Sequence, residues 1–228
     1  MMKFEPISPP QIAARRLPPF DSENWDSIDA AFKAAQSCPL RQAWRSAPEP
    51  GFRPGSVRMG WSETALLVYA ELEDEDIFNP LTELNALSFK QGDVFEIFLR
   101  PVDQPAYFEF HVTPQNQKLQ LRFPTAEAVA ELRAAKAEIP KEWKIYDWIL
   151  HTRVEVCPCP SKWRVFAEMP FDRVAETRRP GPGSQWLFSF SRYDYTRGKE
   201  APVLSSSSPH RVVDFHRQPE WGSVTFGW

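Results

Sequence analysis

Twenty-three of the 228 residues are proline, and they are scattered along the whole chain. Proline breaks helices and is excluded from central strands. A chain punctuated this often folds from short segments joined by stiff loops. Seventeen Phe and nine Trp, against only nine Gly, supply bulky side chains for those segments to bury. With 42% apolar and 25% charged residues, the chain can close a core without disulfide staples. One domain spanning 1–228 is expected, with 1–19 as a Pro-rich N-terminal arm.

The net charge of −3 argues against nucleic acid or an anionic membrane as a partner recruited by overall charge. No window approaches the ~18 apolar residues of a membrane span. The opening Met-Met-Lys-Phe-Glu-Pro has no apolar signal-peptide region, so as written the chain reads as cytoplasmic. Three cysteines, Cys38, Cys157 and Cys159, make no disulfide framework. Zinc at Cys157-Pro-Cys159 would need two further ligands, and no neighbouring Cys or His pair supplies them.

Two segments carry a helical period. Asp21 to Ala35 places Trp25, Ile28, Ala31, Phe32 and Ala35 on one side, with Asp21 or Ser22 as the cap. Thr125 to Lys136 is Ala/Glu-rich and stopped by Pro140, which predicts a helix near 125–137 inserted in a loop. Elsewhere the period is two. Leu66, Val68, Ala70 and Leu72 alternate with Leu67, Tyr69, Glu71 and Glu73. Phe95, Ile97 and Leu99 oppose Glu96, Phe98 and Arg100. Phe108, Phe110 and Val112 oppose Tyr107, Glu109, His111 and Thr113. Further strands are expected at Leu119–Phe123, Thr152–Val156, Trp163–Met169, Trp186–Tyr193 and Val224–Trp228. Strands so spaced, without alternating helices, predict an all-β chain: a β-sandwich or jelly roll with one short N-terminal helix and one inserted helix.

The order of these signals resembles the family 9 carbohydrate-binding modules, within the DOMON-like β-sandwiches. The landmarks run in sequence: Asp21-Ser-Glu-Asn-Trp25, then Val57 to Asp74 as a hairpin ending in an acidic bend. Gly92-Asp93-Val-Phe-Glu96-Ile-Phe-Leu is the most specific. Trp163 to Phe171, Leu204 to Pro209, and Phe215 to Phe226 follow. The resemblance covers about residues 20–228 and implies a non-catalytic domain that binds a mono- or oligosaccharide, linked to polysaccharide catabolism. In that family a sugar is gripped between two aromatic rings while charged and amide groups bond its hydroxyls. Sugar C–H faces suit aromatic rings, and the hydroxyl rim suits charge-assisted hydrogen bonds. Carried over by position, the rings are Phe89 and Phe215, where the family has Trp. The polar residues are Glu96 and, in place of an arginine, His111.

Bland alternatives stand beside each of these. The face with Glu96, Arg100, Tyr107, Glu109 and His111 is either a solvated outer sheet face or a concave binding face. Phe89 and Phe215 are either a cleft or part of the core. Ser191-Arg192-Tyr193-Asp194-Tyr195 offers Arg192 as a binding group, or else an Arg192–Asp194 pairing. The acidic run Glu71 to Asp76 is either solvated or, as the resemblance allows, a holder of structural calcium. No other cofactor is expected. A glycosidase pairing of Glu96 with Glu109 or Glu168 is the catalytic alternative, and Ser205–Ser208 lacks a nucleophile elbow. A haem or redox module is the remaining alternative; its candidate axial ligands are His111, His151, His210 and His216.

Overall fold

A computed structural model describes residues 8–228. Twelve strands form two facing sheets. The first sheet runs β7 (Lys118–Phe123), β6 (Tyr107–Val112), β5 (Val94–Pro101), β10 (Gln185–Asp194), β12 (Gly222–Phe226), with β11 (Val203–Ser206) also on β10. The second runs β3 (Gly55–Trp61), β4 (Ala65–Glu73), β9 (Ser161–Pro170), β8 (His151–Pro158), with β2 (Ser37–Pro39) beside β3. The strand β1 (Gln11–Arg16) belongs to both. Gln11–Ala14 pair parallel with β12, and Arg15 and Arg16 pair with β3. The arm expected over 1–19 therefore contains a strand; its first seven residues lie outside the described residues.

The period-two pattern fills the space between the sheets. Phe95, Ile97 and Leu99 of β5 and Phe108, Phe110 and Val112 of β6 meet Leu66, Val68, Ala70 and Leu72 of β4 in one apolar cluster. Each outward face mixes apolar with polar residues, and each acquires a helical cover over its apolar part. On the second sheet, α1 (Trp25–Phe32) seats Ile28 and Phe32 on Leu67, Tyr69 and Phe166. This helix is capped by Asn24, which accepts the Ser27 N–H at 3.1 Å, and so starts later than the Asp21 or Ser22 expected.

On the first sheet, α2 (Ala126–Ala134) lies over Leu121 and Phe123 of β7 and buries Val129. Thr125 caps it through the Ala128 N–H at 3.1 Å. The edge strand β7 runs opposite to its neighbours. Its apolar residues Leu119, Leu121 and Phe123 face α2, and on its other face Gln120 ties down the chain at 145–150, donating to Trp148 O and accepting from Leu150 N. A short α3 (Phe171–Val174) closes one end.

The Gly92-Asp93 pair sets the start of β5. A Cβ on Gly92 would stand 2.6 Å from Phe78 O, so only glycine lets the two backbones approach. Asp93 accepts from the Phe78 and Tyr195 N–H groups, both at 2.7 Å, locking the strand ends together.

Candidate functional site

Between the outer face of the first sheet and α2 lies a cavity of about 570 Å3. Sheet register builds its floor. Glu96 of β5 is directly opposite His111 of β6, and Glu109 is opposite Phe98. Because side chains alternate, all four point away from the core between the sheets. The solvated-face reading of these strands is overturned: Glu96 is 3%, Glu109 6% and His111 0% exposed. The helix α2 and the 207–221 loop cover a face that alternation alone would leave in water.

Three aromatic rings form a row along the cavity. Tyr193 of β10 stands between Phe89 and Phe215, with centroids 5.7 Å and 6.0 Å away. The backbones that carry Phe89 and Phe215 are each held by a side-chain hydrogen bond. Tyr195 donates its hydroxyl to Phe89 O at 2.8 Å, fixing the loop that carries Phe89. Trp221 donates its indole N–H to Phe215 O at 2.8 Å, and Phe215 packs on Trp44 and His210. Phe89 is half-buried and Phe215 buried. Leu121, Phe123, Val129 and Leu132 complete the apolar wall, while Lys90, Lys136 and Arg133 stand at the rim. Arg133 pairs with Asp214 at 2.6 Å, joining α2 to the 207–221 loop.

The floor is a compact titratable cluster. His111 Nε2 lies 2.5 Å from Glu109 Oε1 and 3.1 Å from Glu96 Oε1. Burial pushes the Glu96 carboxyl up to about 8, helped by the Glu109 charge and opposed by His111. Burial acts on Glu109 in the same direction, but the hydrogen bond from His111 and the charges of His111 and Arg133 outweigh it and hold Glu109 below the usual range. His111 is raised: burial lowers it, and the two carboxylates more than reverse that. The two carboxyls are thereby driven apart: Glu96 holds its proton up to about 8, while Glu109 is the ionised partner of His111. His216 Nδ1 is 2.9 Å from the Tyr107 hydroxyl, and its Nε2 is 3.6 Å from Glu109 Oε2. Burial lowers the His216 pKa, so that ring is neutral.

The structure brings Phe89, Phe215, Glu96 and Glu109 to one cavity, with His111 immediately beneath them. Arg192 is elsewhere. It follows Ser191 on β10 and so points to the opposite face of the sheet, fully buried between Asp74 at 2.9 Å and Asp194 at 3.1 Å. It neutralises carboxylates and does not reach the cavity. The acidic run weighed as either solvated or calcium-holding is divided among basic partners. Glu71 pairs with Arg58 and Lys162, Glu75 with Arg53, Asp76 with Arg197, and Asp74 with Arg192.

Of the histidines weighed as haem ligands, His111 and His216 lie beside carboxylates. His210 is bonded to Glu220 at 3.1 Å, and His151 stands near Glu23 and Glu168. Glu168 itself lies on the second sheet, paired across from Leu67 and so away from the Glu96 cluster. Tyr193 and His216 are cavity residues that sequence reasoning did not select for the site. Their signals were there: Tyr193 has the outward parity of β10, and His216 directly follows Phe215.

No protein-family profile matches the chain, and no curated protein does. Solved structures do. A candidate carbohydrate-binding protein from Bacteroides uniformis superposes with a TM-score of 0.72 at 13% identity, covering 95% of this chain and 98% of that one. A family 9 carbohydrate-binding module from Caldicellulosiruptor kristjanssonii in complex with cellotriose gives 0.62 at 17% identity, covering 96% and 94%. The same kind of module from that organism, in complex with glucose, gives 0.61 at 16% identity, covering 96% and 97%. The fold is that of the family 9 carbohydrate-binding modules.

Proposed function

We propose that the chain is a non-catalytic sugar-binding domain, and that its ligand sits on the row Phe89, Tyr193 and Phe215 with its hydroxyls toward Glu96 and Glu109. The observation that carries this is the pairing, in one cavity, of three aromatic rings with buried carboxyl oxygens that have no hydrogen-bond partner. Glu96 Oε2 and Glu109 Oε2 are both buried without a hydrogen bond. A buried oxygen left unpaired costs roughly 1–3 kcal/mol, which a ligand hydroxyl recovers. Protonated Glu96 can donate as well as accept; ionised Glu109 only accepts. Together they match a rim of hydroxyls, each of which does both. The volume of about 570 Å3 falls within the ~300–1,000 Å3 of small-ligand pockets.

Two further facts support the reading. The fold of this chain is like that of modules solved with glucose and with cellotriose, which supports a sugar as ligand. The cover of α2 and the Arg133–Asp214 pair make the site a cleft rather than a flat platform, which favours one sugar or a chain end over the middle of a polymer.

Calorimetric titration with glucose and cellotriose tests this. Saturable binding at Kd of about 10 µM to 1 mM is expected. Phe89→Ala should weaken it by about tenfold or more, since a stacked ring is worth ~0.5–1.5 kcal/mol beyond its buried area. Absence of binding to a panel of mono- and oligosaccharides would refute the reading. Release of reducing sugar, abolished by Glu96→Gln, would replace it with hydrolysis by the Glu96–Glu109 pair.

A further inference from the structure

Stacking a sugar does not require what lies beneath the rings. Glu96, Glu109 and His111 hold one donor atom each within 4.8 Å of one another, all buried. His216 Nε2 approaches the same group, 3.6 Å from Glu109 Oε2. Ligands at ~2.1 Å from a common cation stand ~3.0–3.4 Å apart. The 3.1 Å His111–Glu96 separation fits. On binding, the 2.5 Å His111–Glu109 contact must open and the 3.6 Å His216–Glu109 separation must close slightly. Two of the carboxylate oxygens in the cluster, Glu96 Oε2 and Glu109 Oε2, are buried and unpartnered, and both residues line the cavity. Two carboxylates balance the charge of a divalent ion. Two imidazoles shift the preference from calcium and magnesium toward first-row transition ions. His216 has the outer-shell support such ligands need, because its Nδ1–H can donate to the Tyr107 oxygen at 2.9 Å and leave Nε2 free.

The geometry points to a divalent transition-cation site, of the Zn2+ class, formed by Glu96, Glu109, His111 and His216 on the cavity floor. The ion takes the place of two protons, the one on His111 Nε2 and the one on the Glu96 carboxyl, both of which leave to solvent. Its remaining coordination position faces the cavity and accepts a hydroxyl oxygen. The cation site stands on the protein's own donor atoms; only that last contact rests on the sugar-binding reading.

Chelator-stripped protein carrying Cys157→Ser and Cys159→Ser, which removes the accessible thiols, is titrated with ZnCl2 and in parallel with CoCl2. One equivalent of each is expected to bind, and the Co2+ form should show the visible absorption of a low-symmetry nitrogen–oxygen site. His216→Ala should weaken Zn2+ at least tenfold, and Glu109→Gln and His111→Gln should abolish it. His216 lies in a loop and in no strand, though its ring packs on Phe98, Tyr107 and Phe123, so the unsubstituted Co2+ spectrum is the readout of the ligand set that needs no change at the site. No stoichiometric uptake, or uptake indifferent to these substitutions, overturns the inference. Glucose titrations with and without Zn2+ separate the two proposals. Sugar binding without metal uptake sinks this one alone, and metal uptake without sugar binding sinks only the other.

Discussion

Register makes the cluster before any ligand does. Glu96 and His111 are opposed across β5 and β6, so their side chains meet at the short cross-strand distance, and Glu109 arrives two residues along the same face. The charge assignment gives the two glutamates different stabilities to removal. Glu96 carries its proton at neutral pH, and Glu96→Gln is nearly isosteric with that state. Glu109 is the counter-ion of buried His111, and removing one partner of such a pair costs ~3–5 kcal/mol. Urea unfolding at neutral pH should therefore find Glu109→Gln several kcal/mol less stable than wild type and Glu96→Gln within about 1 kcal/mol. Equal costs would show that the proton is placed wrongly. The rings differ in the same way. Phe215 is buried against Trp44, Tyr193 and His210, so Phe215→Ala should cost ~3–5 kcal/mol of fold stability. Half-buried Phe89 is the cleaner probe, since its loss should register in ligand affinity before stability.

At the level of elements, α2 is an insertion that exists to cover. Only Val129 is buried among its residues, and its other ties are the Thr125 cap and the Arg133–Asp214 pair. So few anchors place it among the least protected parts of the chain. Thr125→Ala removes the cap, worth ~1 kcal/mol, and should raise amide exchange across 126–134 while leaving β5 and β6 protected. Exchange unchanged in α2, or raised equally in both strands, would mean the helix is not a separately opening unit. The N-terminal helix differs in its anchorage. Ile28 and Phe32 are both buried against Leu67, Tyr69 and Phe166, and Asp29 receives Arg164 and the Tyr69 hydroxyl.

For the whole molecule, the acidic set around Arg192 should act with Glu96 in shaping the pH dependence of stability. Burial, then the Asp74 charge, raises Asp93 to about 8, against hydrogen bonds from Phe78 and Tyr195 and the charge of Arg192. Burial raises Asp194 to about 6, with Arg192 and Arg53 opposing and Asp74 adding. Both folded-state values lie above the unfolded ones, so the folded state holds these protons longer. The stability they contribute is complete below about pH 4 and is lost as pH rises through about 6 and then about 8. The melting temperature should fall by several degrees across that window, at ~2–4 °C per kcal/mol for a chain of this size. Asp194→Asn should flatten the lower half of the fall. A melting temperature that climbs from about pH 5 to about pH 8 would contradict both assignments.

Alternation, proline spacing and the two helical periods are local properties, carried by residues within a few positions of one another. They sufficed for an all-β chain, for the inward faces of β4, β5 and β6, for helices within 21–35 and near 125–137, and for Glu96, Glu109 and His111 sharing one face. Three things escaped that reading, each because it depends on partners distant in sequence. Gln11–Arg16 carries little strand signal of its own; it is a strand because both β12 and β3 offer it an open edge. Arg192 looked like a binding residue beside Tyr193, yet strand parity sends the two to opposite faces, and Asp74, 118 positions away, claims the guanidinium. Whether the outer face of β5 and β6 met water or a cavity was decided by α2 and the loop bearing Phe215, which no pattern within the strands encodes. Burial of that face is what turns an ordinary row of glutamate and histidine into a proton-sharing cluster, because only removal from water makes their charges depend on one another.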